Sequence, residues 1–279
     1  MAQRWAEMAV EVSGDVQEIV GVILTDVAGC HGYATTTSAV TGYLPVDDRL
    51  ENTLLALKAA LAEVPGVPSE ITVRFVAEED WATAWKQYFK PQRIGQRIVV
   101  KPTWEEFTPE GDDLILQIDP GMAFGTGLHA TTRLCLRALE ANVKPGIKVA
   151  DVGTGSGILA VGAALLGAAQ VEAVDNDPLA VRVAQENVDV NGVQDRVHCY
   201  EADTPPPGTF AIVVANILAD VILGMASSLV AAIEPGGLLI ASGIIERSAD
   251  DVQKGLTAAG LTVEEVTTEG EWVAILARR

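Results

Sequence analysis

The sequence predicts an α/β protein in two parts: a small α+β module, then a doubly wound, mostly parallel seven-stranded sheet ending in an antiparallel hairpin. Three observations carry this. From residue 148 onward, short apolar runs alternate with helical periodicities across short connections, the pattern of parallel strands covered on both faces. The first of these runs breaks into glycines at 153, 155 and 157 and then enters an Ala/Leu-rich helix. The last two runs are joined only by residues 267–271, which include a glycine, so they form a hairpin and must be antiparallel.

Taken in order, residues 4–12 read as a strand with partial alternation, and 15–28 have helical apolar spacing with Gly21 as a weak point. A short strand near Tyr33 and a second at 38–44, closed by Pro45, follow. Asp47 is placed to cap a helix whose face is Leu50, Leu54, Leu57, Leu61 and Val64; Pro65, Gly66 and Pro68 end it. Ile71, Val73 and Phe75 alternate as the last strand of the module. This outlines a ferredoxin-like α+β sandwich over residues 1–78, with no titratable cluster, and so a recognition module rather than a chemical one. Residues 79–104 are expected to be a linker with a helix carrying Trp81, Trp85 and Tyr88, either as interdomain glue or as an aromatic ligand trap. The linker also holds a strand at 97–101. The larger domain spans 105–279, opening with a strand at 113–119. Its sheet strands are expected at 148–153, 171–175, 196–202, 210–217, 238–245, 261–266 and 272–277. Its helices are expected at 157–166, 179–190, 218–233 and 248–259, after one bearing Leu134, Leu136 and Leu139.

Composition narrows the function. A net charge of −19 argues against broad contact with nucleic-acid phosphates and suits solubility or a basic partner. The first module alone, to residue 70, sets ten acidic residues against Arg4, Arg49 and Lys58. Three scattered cysteines and three scattered histidines give neither a disulfide framework nor a metal-ligand cluster. The N-terminus lacks the pattern of a signal peptide, and the longest apolar stretch, 158–169, is too short to span a bilayer. A cytoplasmic monomer that binds no metal, membrane or nucleic acid is expected.

In a doubly wound sheet, ligands lie beyond the carboxyl ends of the strands at the switch point. The first such end is the glycine loop, Asp151-x-Gly153-x-Gly155-x-Gly157. The second is Asp175-Asn-Asp177, about twenty residues on, where a carboxylate can accept both hydroxyls of a ribose. The third is Glu201-Ala-Asp203, suited to an adenine edge, and the fourth is Ala215-Asn216-Ile-Leu218. Any one of these is more often a turn or helix cap than a ligand contact; four in register are not. A dinucleotide fingerprint places its third glycine where this chain has Ile158, so two readings stand, dinucleotide and S-adenosylmethionine. The loop resembles the first motif of class I methyltransferases, and the terminal hairpin also counts against the dinucleotide. Just before these motifs, the run DPGMAFGTGLHATTRLCL adds two glycines and two threonines, which cap a helix or donate to a ligand over the neighbouring loop.

That run, with DVGTGSGILAVGAALLGA, VEAVDNDPLAVRVAQENVDVNG, the quartet ANIL and DWATAWKQYFKPQRIGQRIVVKPTWEEF, resembles the bacterial ribosomal protein L-eleven methyltransferase family along essentially the whole chain. The resemblance implies an S-adenosylmethionine-dependent protein N-methyltransferase that modifies lysine side chains and the N-terminal amine of that ribosomal protein, and a first domain that recognises it. Cofactor contacts carried over by motif fall on Thr132, Gly153, Asp175 and Asn216, and the candidate set is completed by Gly155, Asp203, Thr126 and Phe124. Asn216 is the catalytic candidate, orienting the amine or the cofactor beside it. The chain departs from the family at Leu128, where a polar residue is common, and at Thr154, often Cys. The alternatives are a class I methyltransferase acting on another protein or a small amine, and a non-catalytic adaptor keeping the fold.

Overall fold

The computed structural model describes residues 4–14, 16–30, 33–46, 50–68, 70–77, 89–119 and 129–279. The helix expected around Trp81, Trp85 and Tyr88 and the loop with Phe124, Thr126 and Leu128 lie outside them, as does Asp47. The chain divides into two compact units, residues 1–90 and 91–279, and the division falls inside the expected linker.

The first unit runs β1 (Arg4–Glu11), α1 (Val16–Asp26), β2 (Tyr33–Thr35), β3 (Ala39–Pro45), α2 (Leu50–Ala62) and β4 (Thr72–Ala77). Its sheet order is β2-β3-β1-β4, with every neighbour antiparallel, which is the ferredoxin-like arrangement. Alternation in β1 sends Ala6, Met8 and Val10 inward, where they meet Leu24 of α1 and Leu57 and Leu61 of α2 in one buried cluster. Gly21 sits inside α1 because a methyl group there would enter the Tyr33 ring; the residue that weakens the helix lets β2 pack against it.

The second unit opens with a three-stranded sheet, β5 (Gln92–Arg93), β6 (Ile98–Lys101) and β7 (Leu114–Gln117). Asn191 extends it as a surrogate strand residue, accepting from the Gln117 N–H at 2.8 Å and donating to its carbonyl at 2.7 Å. After α3 (Ala130–Asn142) the main sheet is built from β8 (Lys148–Val152), β9 (Gln170–Asp175), β10 (Val197–Glu201), β11 (Phe210–Asn216), β12 (Ile233–Ile245), β13 (Thr262–Glu269) and β14 (Trp272–Arg278). Its order is β10-β9-β8-β11-β12-β14-β13. The first five strands are parallel, while β14 lies antiparallel between β12 and β13. Helices α4 (Ile158–Leu165), α5 (Pro178–Val190), α6 (Ala219–Gly224), α7 (Ala226–Ala232) and α8 (Glu246–Ala258) fill the connections. Separate apolar clusters cover the two faces, one including Leu136, Leu139 and Val161, the other Ile222, Leu229 and Val252.

Three expectations are corrected. The helix expected over 218–233 is two, broken at Met225 directly after Gly224, where the backbone leaves helical geometry. Strand β12 begins at Ile233, which pairs with Phe210 ahead of an irregularity, rather than at 238. The five-residue connection before the last strand shrinks to Gly270 and Glu271, because Gly270 turns the chain at a φ of 61° and pairing continues to Glu269 opposite Trp272. No helix among the described residues is long and apolar enough to cross a membrane.

Candidate active site

The strand order reverses between β8 and β11, so the crevice that the fold offers a ligand lies where these two strands end. On the β8 side, the N–H groups of Gly153 and Thr154 both donate to the Val174 carbonyl at 2.9 Å, which folds the loop over β9. Gly153 has a φ of 75°, and a Cβ there would collide with the Ile217 side chain at the end of β11. That collision makes glycine obligatory and shows how closely the two strand ends approach. Asp175 fixes the loop from the other side. Its Oδ2 accepts from Gly155 N–H at 2.9 Å and its Oδ1 from Asp177 N–H at 3.0 Å, leaving each oxygen further acceptor capacity. Asp177 caps α5 through Leu179 N–H at 2.8 Å, the ordinary role for an acid at that position.

Beneath the loop, Asp151 is fully buried. Its Oδ2 accepts from the Thr154 hydroxyl at 2.7 Å and the Ala160 N–H at 3.1 Å, tying the loop to the first turn of α4. Its Oδ1 has no partner among the described residues. Burial pushes its pKa from 3.8 up to about 7; the hydrogen bonds from Thr154 and Ala160 oppose that rise, and the Asp175 charge adds to it. The carboxyl therefore holds its proton in the folded state at pH values where the unfolded chain has lost it. Stability contributed by this group falls as pH rises from about 4 to about 7 and is flat above. Comparing urea unfolding of the wild type and Asp151→Asn, the wild type should lose roughly 2 kcal/mol relative to the variant between about pH 5.5 and about pH 8. A difference independent of pH would show that Asp151 is ionised throughout.

The other half of the crevice is built by α3 and β11. His129 is the N-cap of α3, and its Nδ1 accepts from the Thr131 N–H at 3.3 Å. It also lies 2.7 Å from the Thr131 hydroxyl. The cap is thus the histidine, not the threonines expected from residue preference, and Thr131 and Thr132 are fully buried. Thr132 is free to face β11, where Asn216 Nδ2 donates to its hydroxyl oxygen in a long 3.5 Å contact. The Oδ1 of Asn216 is buried with no partner among the described residues. A buried acceptor at the switch point with no partner among the described residues is available to a donor. Trp272 closes the edge: its ring meets His129 edge-on, with centroids 4.8 Å apart.

The structure thus gathers Gly153, Gly155 and Asp175 on one lip and Thr132 and Asn216 on the other. Asp203 follows β10 with its side chain exposed, next to the point where Ala202 N–H donates to Asp175 carbonyl at 2.9 Å. Phe124 and Thr126 are outside the described residues. Several contributors escaped sequence reasoning. Gly243, at a φ of 79°, passes so close to the Ile217 backbone that a Cβ would sit 2.8 Å from its carbonyl carbon and 2.9 Å from its nitrogen. Asn187 is buried in α5 and donates to the Ser156 carbonyl at 2.8 Å. Glu269 clamps α3 by pairing with Arg133 and Arg137 at 2.5 and 2.6 Å. The sole signal for Gly243 was a glycine within an apolar run; the other two had none.

Six parallel strands with one antiparallel strand inserted among them, a glycine loop after β8 and an acid at the end of β9 define the fold of a class I methyltransferase. The sequence model of the family described as Ribosomal protein L11 methyltransferase (PrmA) matches residues 4–279. The protein named ribosomal protein L11 methyltransferase from Pelotomaculum thermopropionicum is 47% identical, the match covering 98% of each chain. That from Chloroflexus aurantiacus is 42% identical over 99% of this chain and 98% of its own. The crystal structure of a ribosomal protein L11 methylase from Lactobacillus delbrueckii subsp. bulgaricus superposes with a TM-score of 0.63 at 32% identity, covering 68% of this chain and 99% of that one. The chain belongs to the ribosomal protein L11 methyltransferase family.

Proposed function

We propose that the protein transfers methyl groups from S-adenosylmethionine to amines of ribosomal protein L11, its lysine side chains and its N-terminal amine. The observation that carries this reading is the Oδ1 of Asn216, buried at the switch point without a partner among the described residues, beside a loop that admits no side chain at Gly153. The residues present fit the cofactor: Gly153 and Gly155, at φ of 75° and 55°, fold the loop tightly at the end of β8, and Asp175 has acceptor capacity for ribose hydroxyls. When bound, S-adenosylmethionine supplies an electrophilic methyl group on a sulfonium. The rest is positioning. Asn216, oriented by Thr132, accepts a hydrogen bond from the incoming amine and aims its lone pair. A lysine ammonium, with a pKa near 10.4 in water, is favoured to lose its proton as it is desolvated next to a positive charge, so no strong base is required. An amide acceptor is disfavoured, because the Asn-Ile-Leu run lacks the prolines and aromatic ring that glutamine-modifying relatives carry at the matching strand end.

The first module is proposed to recognise the protein substrate, and the excess of acidic residues suits a basic ribosomal protein working in the cytoplasm. Incubation of ribosomal protein L11 with the enzyme and S-adenosylmethionine should yield mass increments of whole methyl groups on lysines and the N-terminus. Cofactor binding without mass gain would keep the methyltransferase and discard this substrate. Asp175→Ala removes the ribose acceptor and two backbone partners together. Calorimetry should show S-adenosylmethionine binding weakened by roughly a hundredfold, from two hydrogen bonds to a charged group. A loss under threefold would place the ribose elsewhere.

A further inference from the structure

Immediately after Asn216 the chain breaks two rules of surface economy at one residue. Leu218 is 71% exposed, the largest exposure among the described large apolar side chains. It also occupies the N-cap of α6, with no side-chain bond to the helix, where Ser, Thr, Asp or Asn would each stabilise the first turn. Neither solvation nor helix capping accounts for a leucine here. Val221, 44% exposed, stands three residues on in the same short helix, while Ile222 next to it is fully buried. Two exposed carboxylates lie on the same part of the fold: Asp220 on α6 itself, and Glu246 in the first turn of α8, directly after β12, the strand hydrogen-bonded to β11. The patch is held in place: Ile217 N–H donates to the Ser242 carbonyl at 3.1 Å, and Val221 and Ile222 N–H groups return to the Leu218 carbonyl at 3.0 Å.

We infer that Leu218 and Val221 form an apolar lip at the mouth of the acceptor site, on which the protein substrate seats an aliphatic side chain neighbouring the amine to be methylated. This rests on the function proposed above. The occupant is argued from charge and continuity. Asp220, Glu246 and a net charge of −19 select a basic segment. The lip also follows by two residues the one proposed to meet the amine, at the same strand end. The lip would discriminate among lysines by what stands beside them, a task that Asn216 cannot perform because every lysine presents it with the same group.

The test uses the full-length enzyme, ribosomal protein L11 and S-adenosylmethionine, comparing wild type with Leu218→Ser and Leu218→Met. Serine is the better cap, so Tm should hold or rise and misfolding cannot imitate the effect. The expected result is a KM for ribosomal protein L11 raised roughly tenfold or more, with kcat and cofactor Kd unchanged, and restored by methionine, which offers similar apolar surface. An unchanged KM overturns the inference, as does a fall in kcat at constant KM, which would make Leu218 a support for Asn216. Concentration-dependent dimers that Leu218→Ser dissolves without altering KM would assign the lip to a second copy of the chain and overturn it too. A wild-type enzyme that binds the cofactor but leaves ribosomal protein L11 unmethylated overturns the substrate reading, and this inference with it; turnover with unchanged KM overturns the inference alone.

Discussion

Asn216→Ala should lower kcat for ribosomal protein L11 by about two to three orders of magnitude while leaving Tm within a few degrees of wild type. The side chain makes one long hydrogen bond, to Thr132, and its carbonyl oxygen makes none among the described residues, so the fold loses little when it is removed. In the proposed mechanism the reaction loses the group that orients the amine, and misplacement of a reacting atom by about 1 Å costs on the order of a hundredfold. Single-turnover measurements at saturating cofactor would separate this from weaker binding. Turnover within threefold of wild type would remove Asn216 from the mechanism.

The second large effect is expected on stability, at a glycine of β12 packed against the end of β11. Gly243→Ala should destabilise the protein by about 3 kcal/mol or more, lowering Tm by several degrees. Part of the cost is the left-handed conformation, about 1–2 kcal/mol for a residue with a Cβ. The larger part is that the methyl group must displace the backbone of Ile217, which cannot rotate aside as a side chain would. Gly192→Ala is the control. Its φ is 65°, similarly left-handed, but a Cβ there meets nothing within 4 Å, so its cost should be the conformational part alone. Equal losses in the two variants would show that the contact with Ile217 relaxes freely. Because Ile217 follows Asn216 and packs against Gly153, the Gly243→Ala enzyme should also be slower than its folded fraction explains.

Which features the sequence disclosed follows from the range of the forces involved. Strands β11 and β12 were readable because burial on both faces favours continuous apolar runs, and the β13–β14 hairpin because a connection that short permits no crossover. Asp175 and the loop glycines were readable because they sit at element ends, where local chemistry is restrictive. Gly243 was not, since its need for a missing side chain arises from the register of β11 against β12 and nothing in residues 240–246 expresses it. His129 is not legible as a cap because Ser, Thr, Asp and Asn are the commoner choices, and here its Nδ1 takes the Thr131 N–H instead. Met225 breaks a helix that periodicity alone would continue. Leu218 looked like the apolar start of that helix; only its exposure turns it into a question.

The placement of β14 has a consequence for how the molecule is made. Strand β13 leaves the ribosome first, yet it has no partner in the sheet until β14 has emerged to lie between it and β12. Until then, β12 presents an open, apolar edge that invites pairing with any neighbouring chain. Trp272, which meets the N-cap His129 of α3 beside the candidate site, is the first residue of that same strand. Closure of the sheet and completion of the site are therefore one event in biosynthesis. A nascent chain stalled short of residue 272 would be both sticky and inactive, an incomplete form that a quality-control protease could recognise by its exposed edge.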